Sequence, residues 1–351
     1  MGSVLPISLC MIAKNEEFFL DTALKSVRAV LDLDEVIVAD TGSTDATKDI
    51  AYENGAKVFD FEWCDDFSAA RNFAAGIAKN DWIFVLDADE EMISADAAEL
   101  ESFIADARAV GAVTRIEMTD KSNSPESRLY NRKNYRYDGI IHEQITPTGK
   151  HEKIIKDAPI HIIHHGYVAE FKQAKGKLER NERLLKKELS ENPDDPYLLY
   201  QLGKCYFDGS RNLPQACESF GKALLKRPDY RLEYVYNLVE CYGYALINAG
   251  QYERALSLMK EYAKLYDSKV QFRFLSAHIL QNNGMFIEAV ECYESCIGAD
   301  AIDYSGITSF LSYYNIGVVL ECVGMTEDAI AMYENCGDYE LAVERLRQLR
   351  G

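Results

Sequence analysis

Long apolar runs and positive charge are both scarce in this sequence. No apolar run approaches the roughly 18 residues that span a bilayer, and the start lacks the basic region of a secretory signal peptide. The chain has 38 Lys and Arg against 57 Asp and Glu, a formal net charge of −19. This balance argues against a nucleic-acid-binding protein, which needs a basic face. We therefore expect no signal peptide, no transmembrane segment and no nucleic-acid partner.

Cysteine pairs of the kind that bind metals or form redox motifs are also missing. The nine cysteines include no CxxC pair, and Cys292 and Cys296 have the spacing of neighbours on one helix face. None is part of a histidine motif that would indicate a catalytic thiol. We expect reduced, mostly buried thiols in a cytoplasmic protein.

The first half of the chain alternates strand-like and helix-like stretches. The strand-like stretches are "ISLCMIA", "DEVIVAD", "AKVFDFE" and "DWIFVLD". The helix-like stretches between them are "EEFFLDTALKSVRAVL", "STDATKDIAYENG", with Ser43 as its expected N-cap, and "SAARNFAAGIAK". This alternation predicts a parallel sheet with helices on both faces.

After about residue 172 strand-like runs disappear, and all eight prolines lie at or before Pro228. The stretch from Pro196 to Asp229 resembles a tetratricopeptide unit in its 34-residue length and in its pattern. Later units repeat a G-x-[YFT]-x-x-A turn, at Gly250 with Ala255, Gly284 with Ala289, and Gly324 with Ala329. We predict a helical repeat domain over residues 173–351, with a generic helical bundle as the alternative. Stacked repeats present a surface for a partner.

Acidic side chains follow a buried strand in "VLDADEEM", residues 85–92. Asp87 and Asp89 are spaced so that both side chains point to one side of an extended chain, where their charges repel unless a cation lies between them. A divalent metal bound by oxygen ligands and substrate phosphates is such a cation. The alternative is that these acids only precede a helix, "SADAAELESFIADARA", capped by Ser94 or Asp96.

Two more polar stretches, "MIAKNEE" and "VADTGSTDAT", follow strands, and ligands bind at the carboxyl ends of parallel strands. Together with "ARNFAAGIAKNDWIFVLDADE", they make residues 5–167 resemble the inverting family-2 glycosyltransferases. That resemblance implies a GT-A fold, a Rossmann-like, mainly parallel α/β sheet over residues 1–172. Thr41 replaces the usual second Asp, as in the branch of lipopolysaccharide-core glucosyltransferases and sublancin-type peptide glycosyltransferases.

The resemblance also implies roles for individual residues. Asp40 would contact the base of a UDP-sugar, Asp87 would lie near the ribose, and Asp89 would bind Mn²⁺ or Mg²⁺. Arg71 and Asn72 would line the diphosphate pocket. Arg128 belongs to the basic cluster of this half and could reach a phosphate. The remaining implied donor-binding residues are Ala13, Asn15, Glu16 and Ala88.

Five of the six histidines lie between His142 and His165, close to the candidate base. The "G-x-x-H-E" stretch resembles the same branch and implies Glu143 as the base that takes the acceptor's proton, with His142 orienting it. "HHGY" resembles the branch's "H-Y-G-Y" and implies His164 as a second metal ligand. The alternatives are a surface acid at Glu143 and a hydrogen-bonded core histidine at His164. Which of His164 and His165 faces the metal is left open.

The sequence thus predicts a metal-dependent inverting glycosyltransferase. It would move a hexose or N-acetylhexosamine from a UDP-sugar to a peptide or protein acceptor docked by the repeats. A glycolipid or lipopolysaccharide-core acceptor is one alternative, and a non-catalytic repeat scaffold that senses nucleotide sugar is another. A homodimer through the repeat domain is left open.

Overall fold

A computed structural model of the protein describes residues 4–118, 123–165, 171–210, 212–300 and 306–351, with only the backbone for 171–175 and 210. Gly166 and Tyr167 of the "HHGY" stretch lie outside the described residues. The chain divides into two compact units, Met1–Gly176 and Lys177–Gly351. The helix Phe171–Glu191 crosses this division, close to the expected boundary at 172/173.

The first unit is built on a mixed, mainly parallel sheet. Its strands are β1 (Leu5–Ala13), β2 (Leu33–Asp40), β3 (Lys57–Asp60), β4 (Trp82–Val85), β5 (Glu90–Ala95), β6 (Ala109–Glu117), β7 (Asn123–Asn131), β8 (Tyr135–Asp138), β9 (Gln144–Pro147) and β10 (Ile154–His164). The eight-stranded sheet has the order β3-β2-β1-β4-β7-β6-β10-β5, and β8 pairs with β9. Only β7 and β5 run antiparallel to their neighbours in the larger sheet. The predicted mainly parallel sheet is confirmed.

Helices cover both faces of this sheet, as the alternation predicts. They are α1 (Leu20–Val30), α2 (Thr47–Glu53), α3 (Phe67–Ile77) and α4 (Ala97–Phe103). Alternate residues of β1 enter two cores: Leu9 packs in the core that contains α1, and Cys10 packs in the core that contains α3. A strand buried on both faces must be apolar almost throughout, which explains the run "ISLCMIA".

The starts of helices α2 and α4 can be compared with the sequence predictions. Helix α2 begins at Thr47, and Ser43 lies in the preceding loop, where its N–H donates to Asp40. The stretch after Asp89 first forms the short strand β5, and only then does Asp96 cap α4 by accepting from the N–H groups of Ala98 and Glu99. Of the two candidates Ser94 and Asp96, it is Asp96 that caps α4, and the N-cap expected at Ser43 is wrong.

Within its described residues, the second unit contains helices and no strand. Its helices are α5 (Phe171–Glu191), α6 (Pro196–Lys204), a π-helical segment (Cys205–Ser210), α7 (Leu213–Leu225), α8 (Glu233–Asn248), α9 (Tyr252–Tyr266), α10 (Val270–Asn282), α11 (Phe286–Glu294), α12 (Phe310–Cys322), α13 (Thr326–Glu334) and α14 (Glu340–Arg350). Within the described ranges, no helix has both the length and the apolar character needed to cross a membrane.

The recurring glycine of the repeats ends the first helix of a helix pair. Gly250, Gly284 and Gly324 have φ values of 68°, 74° and 83°, a backbone region that strongly favours glycine. The alanine five residues later is fully buried in each of these repeats, as at Ala255 and Ala289. These positions explain the repeated pattern and confirm a tetratricopeptide-like architecture.

Close packing inside one repeat gives a stability prediction at Gly203. A Cβ atom there would lie 2.4 Å from the ring of the fully buried Phe220. We expect Gly203→Ala to destabilise the protein by about 1–3 kcal/mol, the usual effect of overpacking a core. Chemical denaturation followed by circular dichroism measures this. Gly176→Ala is the control, because a Cβ there meets no atom within 4 Å and should leave stability unchanged or raise it. Equal stability of Gly203→Ala and the wild type would contradict the packing.

Candidate active site

The loops that follow β1 and β2 are joined by hydrogen bonds. Thr41 donates to the Ala13 carbonyl through its N–H at 2.9 Å and its hydroxyl at 3.2 Å. Asn15, at a φ of 57°, accepts from the Thr44 N–H at 2.8 Å, and the Glu16 N–H donates to the Thr47 hydroxyl at 2.8 Å. Thr41, which stands where the family usually has Asp, thus makes its hydrogen bonds within this pair of loops. Ala13, Asn15 and Glu16 shape the carboxyl edge of the sheet.

Asp40 ends β2 with an almost fully buried side chain, 1% exposed. Its carboxylate accepts from the N–H groups of Gly42 at 3.1 Å and Ser43 at 3.0 Å, and Lys48 Nζ lies 3.5 Å away. Gly42 has a φ of 101°, which permits this tight turn. Asp40 therefore fixes the loop at the edge where the nucleotide base is expected.

Asp87 is held by two arginines. Arg71 Nη2 donates to one carboxylate oxygen at 2.9 Å, and Arg128 Nη2 donates to the other at 2.9 Å. Burial alone would raise the pKa of Asp87, but the charges of Arg128 and Arg71 hold that pKa well below its usual range. The structure thus brings together three residues that were predicted to bind the nucleotide-sugar donor: Arg71, Asp87 and Arg128. These two arginines offset the negative charge of Asp87.

The candidate base belongs to the same group. Arg71 Nε donates to Glu143 Oε1 at 2.5 Å, and the Glu143 side chain is only 10% exposed. The Arg71 guanidinium also lies 5.3 Å from the centre of the Tyr137 ring. The contact seen to hold this carboxylate comes from Arg71, and the neighbouring His142 has a φ of 52° and is exposed. One guanidinium therefore joins Asp87 to Glu143.

Two further predicted donor residues have structural contacts. The Asn72 amide donates to the Tyr137 carbonyl at 2.8 Å and accepts from the Tyr137 N–H at 2.9 Å, which ties α3 to β8. Ala88 is 5% exposed and its side chain belongs to the core around α1. Asn72 supports the frame around Arg71, and Ala88 anchors the turn between Asp87 and Asp89.

Asp89 lies beside His164. Asp89 Oδ2 is 3.2 Å from His164 Nε2, and His164 Nδ1 is 2.9 Å from Glu117 Oε2. The hydrogen bond to Asp89 raises the pKa of His164, and Glu117 adds to the rise. His165 instead lies 2.6 Å from Glu91. Of the two adjacent histidines, it is His164 that faces Asp89.

The chemistry of this pair fits a divalent metal. Neighbouring ligands of an octahedral Mg²⁺-type ion lie about 3 Å apart, close to the observed 3.2 Å. A carboxylate on the other ring nitrogen, here Glu117, is the usual support of a metal-bound histidine. Among the described residues, no cluster of three or more His, Cys, Asp or Glu side chains could hold an ion. The pair would need substrate or water oxygens to complete the shell.

Several charged residues of the site were missed by the sequence reasoning. Glu90 is 1% exposed; burial raises its pKa, and the charge of Arg128 opposes that rise. Arg115 contacts Glu117 at 2.9 Å and Glu126 at 2.7 Å, and Glu126 lies 2.9 Å from Arg128. The available signal was the i, i+2 spacing of Arg115 with Glu117 and of Glu126 with Arg128, which places each pair on one face of a strand.

Comparison with known proteins follows the division of the chain. Residues 8–172 match glycosyl transferase family 2, and residues 270–303 match the tetratricopeptide repeat. A TPR repeat-containing protein of Synechococcus elongatus is 39% identical over 208 residues, covering 56% of this chain and 51% of that protein. An uncharacterized glycosyltransferase of Rickettsia bellii is 42% identical over 99 residues, covering 28% of this chain and 33% of that protein.

The SPbeta prophage-derived glycosyltransferase SunS of Bacillus subtilis is 29% identical over 208 residues, covering 56% of this chain and 48% of SunS. The chain spans about half the length, or less, of these relatives. Among solved structures, the TPR protein YrrB aligns with 21% identity and a TM-score of 0.40, over 50% of this chain and 86% of YrrB. The protein therefore carries a glycosyltransferase domain of family 2 over residues 8–172, followed by C-terminal tetratricopeptide repeats.

Proposed function

We propose that the protein is a metal-dependent inverting glycosyltransferase. It moves a hexose or N-acetylhexosamine from a UDP-sugar to a peptide or protein acceptor docked by the helical repeats. The observation that carries the proposal is the Arg71 bridge, which binds Asp87 at 2.9 Å and Glu143 at 2.5 Å. In this bridge, a single guanidinium group lies between Glu143, the proposed general base, and Asp87, the proposed nucleotide ligand.

The charge of the site supports metal dependence. Around Arg71, Arg115 and Arg128, carboxylates outnumber guanidinium groups; they belong to Asp87, Asp89, Glu90, Glu117, Glu126 and Glu143. An anionic diphosphate would be repelled by this excess. Asp89 and His164 are the residues that would hold Mn²⁺ or Mg²⁺. When bound there, such an ion supplies positive charge for the diphosphate as it departs.

In the proposed reaction, each step of the transfer is carried out or supported by a residue of the site. Glu143 accepts the proton of the acceptor's hydroxyl or thiol while that atom bonds to the anomeric carbon of the sugar. The bond between that carbon and the diphosphate oxygen breaks on the opposite face, so the configuration inverts. Arg71 orients the Glu143 carboxylate, and both Arg71 and Arg128 place positive charge near the departing diphosphate.

The acceptor is inferred from the second unit. Stacked helical pairs form an extended surface of the kind that binds other polypeptides. A family-2 domain and such repeats on one chain support an enzyme that docks a protein substrate. The rival acceptor is a glycolipid, and the rival function is a scaffold that binds nucleotide sugar without transfer.

Mass spectrometry separates these functions. The full-length chain is incubated with Mn²⁺, a panel of nucleotide sugars, and either candidate peptides or a lipid extract. The proposal expects one added sugar on a peptide, from a UDP-sugar only. Sugar added to lipid alone would identify a glycolipid enzyme, and donor binding without any transfer would identify the scaffold.

A further inference from the structure

A chain of polar contacts runs from the Asp89–His164 pair back to Glu90, the residue after Asp89. Beyond His164, Glu117 lies 2.9 Å from Arg115 Nη2, and Arg115 Nε lies 3.3 Å from Glu90. Glu90 follows Asp89 directly in the sequence, which closes the circle. We call these five residues, Asp89, His164, Glu117, Arg115 and Glu90, the charged ring.

The strands place three members of the charged ring in one row. His164 of β10 pairs with Glu90 of β5 on one side and with Glu117 of β6 on the other. Residues paired across neighbouring strands project from the same face of a sheet. The row therefore holds Glu90, His164 and Glu117 side by side at the edge where Asp89 follows β4.

Glu90 also fixes the turn that carries Asp87 and Asp89. Its side-chain Oε2 accepts from the Asp87 N–H at 3.0 Å, and its own N–H donates to the Asp87 carbonyl at 3.1 Å. Ala88 and Asp89 lie between these two contacts. Glu90 thus fixes the turn that contains Asp89 through two hydrogen bonds to the backbone of Asp87.

The other side-chain oxygen of Glu90 contacts Arg128, one of the two arginines that bind Asp87. Glu90 Oε1 accepts from Arg128 Nη2 at 2.8 Å, and the same nitrogen donates to Asp87 at 2.9 Å. The two oxygens of one almost fully buried carboxylate thereby join the turn to Arg128.

We propose that Glu90 is a positioning residue that sets the spacing of the Asp89–His164 pair and places Arg128 against Asp87. The inference rests on the proposed function, because it assigns a task at the same metal and donor site. Glu90 itself need touch neither ion nor sugar. It acts through the turn, through Arg115 and Glu117, and through Arg128.

The contacts explain why a carboxylate is needed at this position. Both Glu90 oxygens accept hydrogen bonds, one from Asp87 N–H and one from Arg128. A glutamine has one acceptor oxygen, and its NH₂ group would face a donor at the other contact. Glu90→Gln therefore keeps the size of the side chain but breaks one of the two links.

The test is Mn²⁺ affinity of the full-length Glu90→Gln variant, measured by titration calorimetry and by electron paramagnetic resonance of free Mn²⁺. We expect affinity to fall by about 10–100-fold, the usual effect of losing an outer-shell partner. Turnover should recover in part as Mn²⁺ is raised, and the defect that comes from the displaced Arg128 should remain. The matched control is Glu91→Gln, whose carboxylate pairs with His165 outside the charged ring, and its Mn²⁺ affinity should be unchanged.

The other outcomes overturn the inference in distinguishable ways. Unchanged Mn²⁺ affinity in Glu90→Gln refutes the positioning role but leaves the metal site intact. Absence of Mn²⁺ binding by the wild type refutes both the inference and the proposed metal dependence. If Glu90→Gln does not fold, Arg115→Gln breaks the charged ring at a partly exposed position, and undiminished affinity there also refutes the role.

Discussion

The Asp89→Ala variant is expected to lose Mn²⁺-linked donor binding and glycosyl transfer while keeping its fold. Asp89 is a candidate ligand, so the loss of metal affinity should exceed the about 10–100-fold typical of outer-shell residues. The side chain is 35% exposed, and His164 keeps its contact with Glu117, so no fully buried charge loses its only partner. Calorimetric titration with Mn²⁺ and UDP-sugar measures the loss, and thermal unfolding checks the fold.

Two comparisons sharpen this result. Glu91→Ala removes a carboxylate two residues away that pairs with His165, and it should leave transfer unchanged. Wild-type protein in excess chelator should behave like Asp89→Ala. Full activity of Asp89→Ala, or undiminished wild-type activity in chelator, would refute the metal role of Asp89.

The Glu143→Gln variant is expected to lower turnover by about 10²–10⁴-fold, the usual contribution of a general base, with nearly unchanged donor affinity. Glutamine keeps the shape of glutamate and an oxygen that accepts from Arg71 Nε, but it cannot take the acceptor's proton. Steady-state kinetics, together with calorimetric titration of the donor, measures the two quantities separately.

The size of the Glu143→Gln defect also reports on the acceptor. A thiol, with a pKa of about 8.5, needs less help from a base than a hydroxyl does, so a cysteine acceptor predicts a smaller defect. Loss of donor binding together with turnover would show that Glu143 binds the donor or maintains the structure. The base would then be sought elsewhere, first at Asp138 at the end of β8.

The sheet was predictable because its first strands are buried on both faces. Strand β1 and strand β4 are almost continuously buried, so they appear in the sequence as apolar runs ended by polar loops. Those loops meet at the carboxyl edge, as expected for parallel strands. Arg71, Asp87 and Arg128, three residues of the predicted site, are joined by hydrogen bonds at this edge.

The rest depended on contacts between distant parts of the chain. The Arg71–Glu143 pair joins residues 72 positions apart, and no local pattern indicates it. Strand β5 is short and begins with two acids, so it looked like the approach to a helix. No pattern in the sequence indicates that Glu90 is buried, because its burial arises only when β5, β7 and β10 assemble.

Calorimetric titration of the full-length protein with a panel of nucleotide sugars, with and without Mn²⁺, measures metal-dependent donor binding and needs no acceptor. UDP-sugars are expected to bind in the presence of Mn²⁺, and this binding should be lost in excess chelator and in Asp89→Ala. Failure of every nucleotide sugar to bind with Mn²⁺ present, or equal binding with and without the ion, would contradict the proposed function.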